Sequence, residues 1–407
     1  MIIVHVGASS FPVGTASVQR IRATYKSIKQ AGFTPLIINK ESLRKDNNLV
    51  KRVSRFDGIP YVYTSTVLSR PDSFVVRNLN KITGKAAEIK LLIRKRKKIG
   101  AAILYNTSSF RELLYYRLLS WLLGFKLVFQ YVEFRSSFKD SSPLRKFNNY
   151  LFDNYSSFFT DGIIVISEFI KEEVQKRNSN VPILKIPVIC DFEEFNKIPP
   201  SSPGFVYLLY CGSTEYLPVI LFIIELYETL KNKNLYKGNL MLIIGVNNEE
   251  ALQAIHHKIQ ASPYRNNIHV KSNLPYSQLI GSYKSADLLL IPLRNSIQDI
   301  ARFPHKIGEY TASRRPFVST NEGEIKYYFS NGVSAVLAEE YTIEAYMKVL
   351  GEILADENYS AQLDAIGQKG YETGYSNFHL ESSTEPLKFF LNKLTGNKYS
   401  KLMIAAA

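Results

Sequence analysis

Short apolar runs alternate with longer amphipathic stretches along the whole chain, the pattern expected of parallel α/β units. Ile2–Val6 reads as a first strand, followed by the loop ASSFPVGTAS and a helix from about Ser17 to Gln30 that Gly32 stops. Pro35–Ile38, Ala101–Tyr105, Lys126–Tyr131 and Gly162–Ile166 read as further strands, each beside a helical pattern. Uninterrupted runs such as GIIVIS suit strands covered on both faces. The pattern breaks at Asn196–Gly204, NKIPPSSPG, a Pro/Ser cluster of the kind that separates domains. It then restarts: strand Val206–Tyr210, helix Pro218–Lys231, strand Leu240–Gly245, helix 249–261, strand His269–Lys271, helix 276–284, strand Leu288–Pro292, helix 304–313 and strand Phe317–Thr320. The stretch from about Thr342 to Leu394 is helical and amphipathic. The expected organisation is a doubly wound domain over residues 1–197, a second over 198–375, and a helical tail over 376–407 that crosses back to the first. Ligands of open α/β sheets bind beyond the carboxyl ends of the strands, so two such domains predict a cleft lined by their facing loops.

A chain of 407 residues is too long for one core, which agrees with that division. Charge changes the picture more than composition does. Residues 1–200 carry 32 Lys and Arg against 16 Asp and Glu, and the remainder carries 19 against 20, so the whole excess of +15 lies in the first half. A field of that sign draws an anionic partner: a phospholipid surface, a phosphorylated acceptor or a nucleic acid. A merely solvated basic face is the plain alternative. Cys190 and Cys211 are the only cysteines, without metal-ligand spacing, which suits a reducing, cytoplasmic location and no disulfide. MIIVHVGASS reads as a strand rather than a signal peptide. The greasy stretch Leu113–Val132 holds Arg117, Gly124 and Lys126 and parses as helix, turn and strand, not as a membrane span.

The segment richest in chemistry is Ala286–Thr320, ADLLLIPLRNSIQDIARFPHKIGEYTASRRPFVST. A buried strand leads through a polar loop into a helix expected to start at Pro304, where the missing N–H is no loss. Amides of that first turn together with Lys306 form an anion site suited to a diphosphate. Glu309 lies one turn on, on the same face, where a carboxylate accepts both hydroxyls of a ribose. Simple pairing of Lys306 with Glu309 on an exposed helix is the competing reading. His305 is the one histidine of the six beside this site. No metal and no cofactor is called for.

FPHKIGEYTASRRPFVST resembles the donor-site signature of the large retaining glycosyltransferase family with two Rossmann-like domains, family 4 with the GT-B fold. Phe303, Pro304, Lys306, Glu309, Tyr310, Ala312 and Pro316 carry the match. TDGIIVISEFIKEEV, ILKIPVICDFEEF and YKSADLLLIPL resemble flanking elements of the same family in the same order. The resemblance implies a nucleoside-diphosphate-sugar donor, retention at the anomeric carbon and no obligatory metal. It implies Lys306 on the phosphates, Glu309 on the ribose, and Gly212 and Ser213 approaching the phosphates or base from the loop after the domain's first strand. Gly14 would approach the transferred sugar or the acceptor. Many members carry a further Glu eight residues before Glu309, where this chain has Ala301, so Asp299 or Arg302 is expected to meet the sugar. Many also carry a basic pair after that first strand, where this chain reads CGSTEYLPV, leaving Arg294, Arg302 and Lys306 to supply charge.

Glu133 and Arg135, in YVEFRSS after a buried strand, are expected to face the cleft; the resemblance implies a contact to acceptor or sugar there, with a structural salt bridge as the alternative for Glu133. KAAEIKLLIRKRKKIG, Lys85–Gly100, reads as a basic amphipathic helix with Ile89, Leu92, Ile93 and Ile99 seated on the sheet and Lys90, Arg94, Lys95, Lys97 and Lys98 outward, a surface for anionic lipid. The expected function is sugar transfer to a lipid-linked or polysaccharide glycan by a cytoplasmic protein peripheral to the inner face of the cell membrane. The alternatives are a nucleotide-sugar 2-epimerase of the same fold, or a non-catalytic basic protein that binds nucleic acid or membrane. No groove-reading motif supports nucleic acid as a partner.

Overall fold

A computed structural model describes residues 1–7, 10–14, 16–43, 50–105, 109–138, 142–201 and 204–396. Contacts divide the chain into two compact units, Met1–Ile189 with Ala301–His305 and Leu380–Ala407, and Cys190–Ile300 with Lys306–His379.

The first unit holds eight strands: β1 (Ile2–Val6), β2 (Thr34–Asn39), β3 (Val53–Phe56), β4 (Ile59–Tyr63), β5 (Ile99–Tyr105), β6 (Lys126–Tyr131), β7 (Gly162–Val165) and β8 (Ile183–Lys185). Their order is β3-β4-β2-β1-β5-β6-β7-β8, parallel except for β3 on β4. The antiparallel β3–β4 hairpin is an addition to the elements expected from sequence. Its signal is Asp57-Gly58, both at positive φ (51° and 72°), the dipeptide that two-residue hairpins of right-handed twist require. Helices α1 (Ala16–Gln30), α2 (Phe74–Lys95), α3 (Phe110–Leu123), α4 (Pro143–Tyr155) and α5 (Glu168–Arg177) connect the strands. The crossovers carrying α2 to α5 all advance in one direction along the sheet, so right-handedness puts those four helices on one face. The opposite face carries α1 and the C-terminal helix, where Ser27 Oγ donates to the Leu380 carbonyl at 3.0 Å. Ala301–His305 sit with this unit, and Ser167 Oγ donates to the Ala301 carbonyl at 2.6 Å.

The basic helix expected at Lys85–Gly100 is a longer one, α2, that ends at Lys95; residues 96–98 turn and Ile99 opens β5. Its inward face is Asn80, Gly84, Glu88 and Leu92, spaced every four residues. Ile93, expected to seat on the sheet, is exposed, because the narrow stripe that touches the core passes one residue earlier, at Leu92.

The second unit contains α6 (Phe192–Lys197), α7 (Leu217–Asn232), α8 (Glu249–Ala261), α9 (Tyr276–Ser285), α10 (Ile297–Ala301, whose last residue falls in the first unit), α11 (Lys306–Ala312), α12 (Ile343–Leu354) and α13 (Tyr359–Phe378), with α14 (Leu380–Thr395) returning to the first unit. Its six strands are β9 (Tyr207–Ser213), β10 (Asn239–Gly245), β11 (Ile268–Ser272), β12 (Leu288–Leu290), β13 (Phe317–Thr320) and β14 (Val336–Ala338). They run parallel in the order β11-β10-β9-β12-β13-β14. The chain winds from β9 to β10 and β11 in one direction, then resumes at β12 on the other side of β9. The carboxyl ends of β9 and β12 therefore form the switch point at which open sheets leave a crevice.

Candidate functional site

The second unit's switch point is assembled from the end of β9, the end of β12, α9 and α11. Leu290 pairs with Tyr210 across the two strands. Tyr310 on α11 closes the junction: its hydroxyl donates to the Leu290 carbonyl at 3.4 Å and receives the Cys211 amide at 3.4 Å. A helix of seven residues is held in place from outside, by α13. A Cβ added to Gly374 would lie 2.3 Å from Thr311 Oγ1, and one added to Gly367 would lie 2.5 Å from the Arg314 carbonyl. Two glycines two turns apart thus let α13 lie directly on α11 and the turn after it.

Glu309 projects from α11 into the interior and is only 5 % exposed. Tyr276 donates its hydroxyl to Oε1 at 3.1 Å, and Tyr283 donates to Oε2 at 3.3 Å. Burial pushes the carboxyl up to about 7, against the opposing pull of the Tyr276 hydroxyl, the Lys306 cation and the Tyr283 hydroxyl. The reading of Glu309 as half of an exposed surface pair is thereby excluded. Lys306 Nζ lies over the Tyr210 ring, 5.8 Å from its centre. Tyr276, Tyr283 and Tyr210 were not anticipated as site residues. The signal for the first two lies in YSQLIGSY, two tyrosines seven residues apart and so on one face of a helix.

Gly212 and Ser213 are the last residues of β9, not a loop beyond it. The strand continues because β10 pairs with it through Ile244–Gly212 and Gly245–Ser213. A Cβ on Gly212 would fall 2.3 Å from the Tyr210 hydroxyl, so glycine there makes room for the ring beneath Lys306. Ser213 Oγ accepts the Glu215 amide at 3.2 Å and the Asn247 side-chain amide at 3.1 Å.

The helix expected from Pro304 begins at Lys306. Residues 302–304 precede it in irregular conformation and His305 is a turn, so Pro304 is not the first helical residue. Proline disfavours helix at the residue before it, and the segment is already engaged with the first unit through Ala301. Arg302, Pro304 and His305 are half-buried.

Asp299 is fully buried and committed to Arg294. Its Oδ2 accepts Arg294 Nε at 2.7 Å and the Arg294 backbone amide at 3.0 Å. This closes the loop between β12 and α10, and the pairing holds the Arg294 guanidinium above its usual range. In the first unit, Arg135 pairs with Glu133 at 3.1 Å, and the Arg135 amide donates to Asp153 Oδ1 at 3.0 Å. Gly14 is exposed and follows Phe11, whose carbonyl is pinned by Asn39 Nδ2 at 2.9 Å and the Tyr63 hydroxyl at 2.8 Å. His5 is buried, and desolvation pushes it down to about 3. Both cysteines are free. Among the described residues no helix is long and apolar enough to cross a membrane, and no group of three or more His, Cys, Asp or Glu is arranged to hold a metal.

Residues 191–370 match the family model described as Glycosyl transferases group 1. No curated protein matches the chain significantly. Among solved structures, a sucrose-phosphate synthase from Thermosynechococcus elongatus superposes with a TM-score of 0.71 at 14% identity, covering 99% of each chain. HepE of Anabaena in complex with UDP-glucose superposes at 0.68 and 14% identity, covering 98% of this chain and 100% of its own. WaaG, a glycosyltransferase involved in lipopolysaccharide biosynthesis, superposes at 0.62 and 15% identity with 98% and 100% covered. The matched region contains all of β9 to β14 together with Lys306 and Glu309. The second unit is thus similar to the glycosyl transferases group 1 family over residues 191–370, and the chain throughout has the GT-B fold of two parallel α/β units.

Proposed function

We propose that this chain transfers a sugar, with retention of anomeric configuration, from a nucleoside-diphosphate-sugar donor to a lipid-linked or polysaccharide glycan. The observation that carries the reading is the pairing of one cation and one buried carboxyl at the switch point, one helical turn apart. Lys306 meets the diphosphate and neutralises charge developing on the leaving group. Glu309 accepts the ribose hydroxyls, whose two donors answer a carboxylate already held in place by Tyr276 and Tyr283. Gly212 and Ser213 approach the phosphates or base, and His305 and Pro304 border the same turn. In this proposal Arg302 meets the sugar, while Asp299 acts through the loop it closes on Arg294. Glu133, Arg135 and Gly14 serve the acceptor side. The acceptor class is supported by the basic first half and by the structural likeness to WaaG, a glycosyltransferase involved in lipopolysaccharide biosynthesis. The protein works in the cytoplasm, peripheral to the inner face of the membrane.

Thermal-shift titration against a panel of UDP- and GDP-sugars tests the donor claim, with Lys306→Ala and Glu309→Gln as controls. Stabilisation by at least one donor, diminished in both variants, is expected. A wild-type protein indifferent to every nucleotide sugar would remove the reading. Proton NMR of the product, comparing its anomeric coupling with the donor's, tests retention.

A further inference from the structure

Three adjacent helices of the first unit turn large apolar side chains to the outside. On α3, Leu114, Leu118, Trp121 and Leu122 are exposed at spacings of four, three and one, a single outward stripe, with Trp121 72 % and Leu122 69 % accessible. On α2 the residues opposite the buried face, Val75, Leu79, Ile82 and Ile93, are all exposed. On α4, Leu144 (80 %) and Phe147 (61 %) lead toward Tyr150, and Phe158 continues beyond the helix. The helices are neighbours. Tyr115 and Tyr116 of α3 donate to Glu88 of α2 at 3.4 and 2.9 Å, and Asn148 of α4 accepts the Phe110 amide at the start of α3 at 3.0 Å.

Charge says what covers this face. Six Lys or Arg lie on α2, two on α3 and two on α4, against one acid on each. Every one of the acids is turned away from the apolar stripe. Glu88 is fully buried beneath Tyr116, Asp153 is buried against Tyr131, and Glu112 is ion-paired with Lys40. Among the described residues of the three helices, then, the outward surface is apolar and cationic with no acidic side chain. Nearby acids are few: Asp161 pairs with Arg117 beside Trp121, and Asp72 precedes α2. An apolar stripe bordered mainly by cations, with an indole and phenol rings among it, fits the boundary between headgroups and acyl chains.

We propose that the outward face of α2, α3 and α4 inserts into the headgroup–acyl boundary of an anionic lipid bilayer. This deepens the membrane contact of the proposed function. Adsorption through the basic end of α2 alone would be Coulombic and screened by salt; insertion of the apolar stripe is not.

Trp121 is the chain's only tryptophan, so its fluorescence reports on this face alone. The test uses the full chain with vesicles of phosphatidylcholine, with and without phosphatidylglycerol, at low salt and about 0.5 M salt, where the Debye length is only about 4 Å. Expected are co-flotation with the anionic vesicles that persists at high salt, a blue shift of Trp121, and quenching by bromine-labelled acyl chains. Leu118→Ser/Leu122→Ser and Leu144→Ser/Phe147→Ser, all at exposed positions, are expected to lower partitioning about tenfold or more while the unfolding midpoint stays put. Three results overturn the proposal: no flotation, flotation abolished by salt with Trp121 unmoved, or a lipid-independent blue shift that follows protein concentration and a dimer in sedimentation, which assigns the face to a second copy. Donor-induced thermal shift without vesicles is read on the same variants, and its retention separates failure of insertion from failure of the transferase reading.

Discussion

Replacing Glu309 by Gln is expected to make the protein more stable and less able to hold a donor, with a pH dependence that identifies the cause. Burial raises this carboxyl from 4.5 to about 7. Between two and three pH units at about 1.4 kcal/mol each correspond to on the order of 3 kcal/mol, less about 1 kcal/mol for the altered hydrogen bonds to Tyr276 and Tyr283. The sign follows from proton counting. Below pH 4.5 the acid is protonated in both folded and unfolded chains and the raised value has no effect. Between 4.5 and about 7 the unfolded chain releases its proton while the folded one keeps it, so wild-type stability falls as pH rises. Above 7 both are ionised and the full penalty is present. Glutamine does not titrate. The midpoint of Glu309→Gln should therefore draw ahead of wild type by about 5–10 °C between pH 5 and pH 8, most of it before pH 7. Differential scanning calorimetry across that range measures it. A difference that stays constant from pH 5 to pH 8 would refute the claim that the carboxyl is held protonated by burial. Nucleotide-sugar affinity of the same variant should drop, since an amide presents one acceptor where the carboxylate presents two.

Other outcomes follow from the same geometry. Tyr276→Phe removes a hydroxyl that stabilises the charged carboxylate, so the stability-versus-pH transition should move above pH 7; a transition left where it was would deny that hydrogen bond. Lys306→Ala should weaken donor binding by about 2 kcal/mol, roughly thirtyfold by calorimetric titration, and should move the Glu309 stability-versus-pH transition upward, because a cation that opposes the raised carboxyl is lost. Gly374→Val should destabilise the second unit by about 1–3 kcal/mol in urea unfolding and reduce donor affinity with it, because α13 is pushed away from Thr311. Gly212→Ala should displace Tyr210 from beneath Lys306, seen as lost donor affinity at nearly wild-type far-UV circular dichroism.

The alternation of buried runs with amphipathic helices and the order of motifs around Lys306 and Glu309 determined the two α/β units and the neighbourhood of the candidate site; the Pro/Ser break near residue 200 lies inside the second unit, which begins at Cys190. These are properties of spacing, and spacing is written in the chain. What the side chains do there depended on residues far apart in sequence. Spacing alone left Glu309 open between a ribose contact and one half of a surface pair, because a helix read alone has an outside; α9 covers it with two tyrosines from about thirty residues upstream and makes it a buried carboxyl whose pKa is raised to about 7. Asp299 was expected to meet the sugar, and its pairing with Arg294 was not legible, since loop closure is decided by backbone path. The helix beginning at Pro304 was displaced to Lys306 by the path of the preceding segment, whose Ala301 carbonyl is held by Ser167. The apolar faces of α2, α3 and α4 show the same limit. A sequence displays which positions of a helix are greasy, and only packing decides which of them the sheet covers and which are left to meet something else.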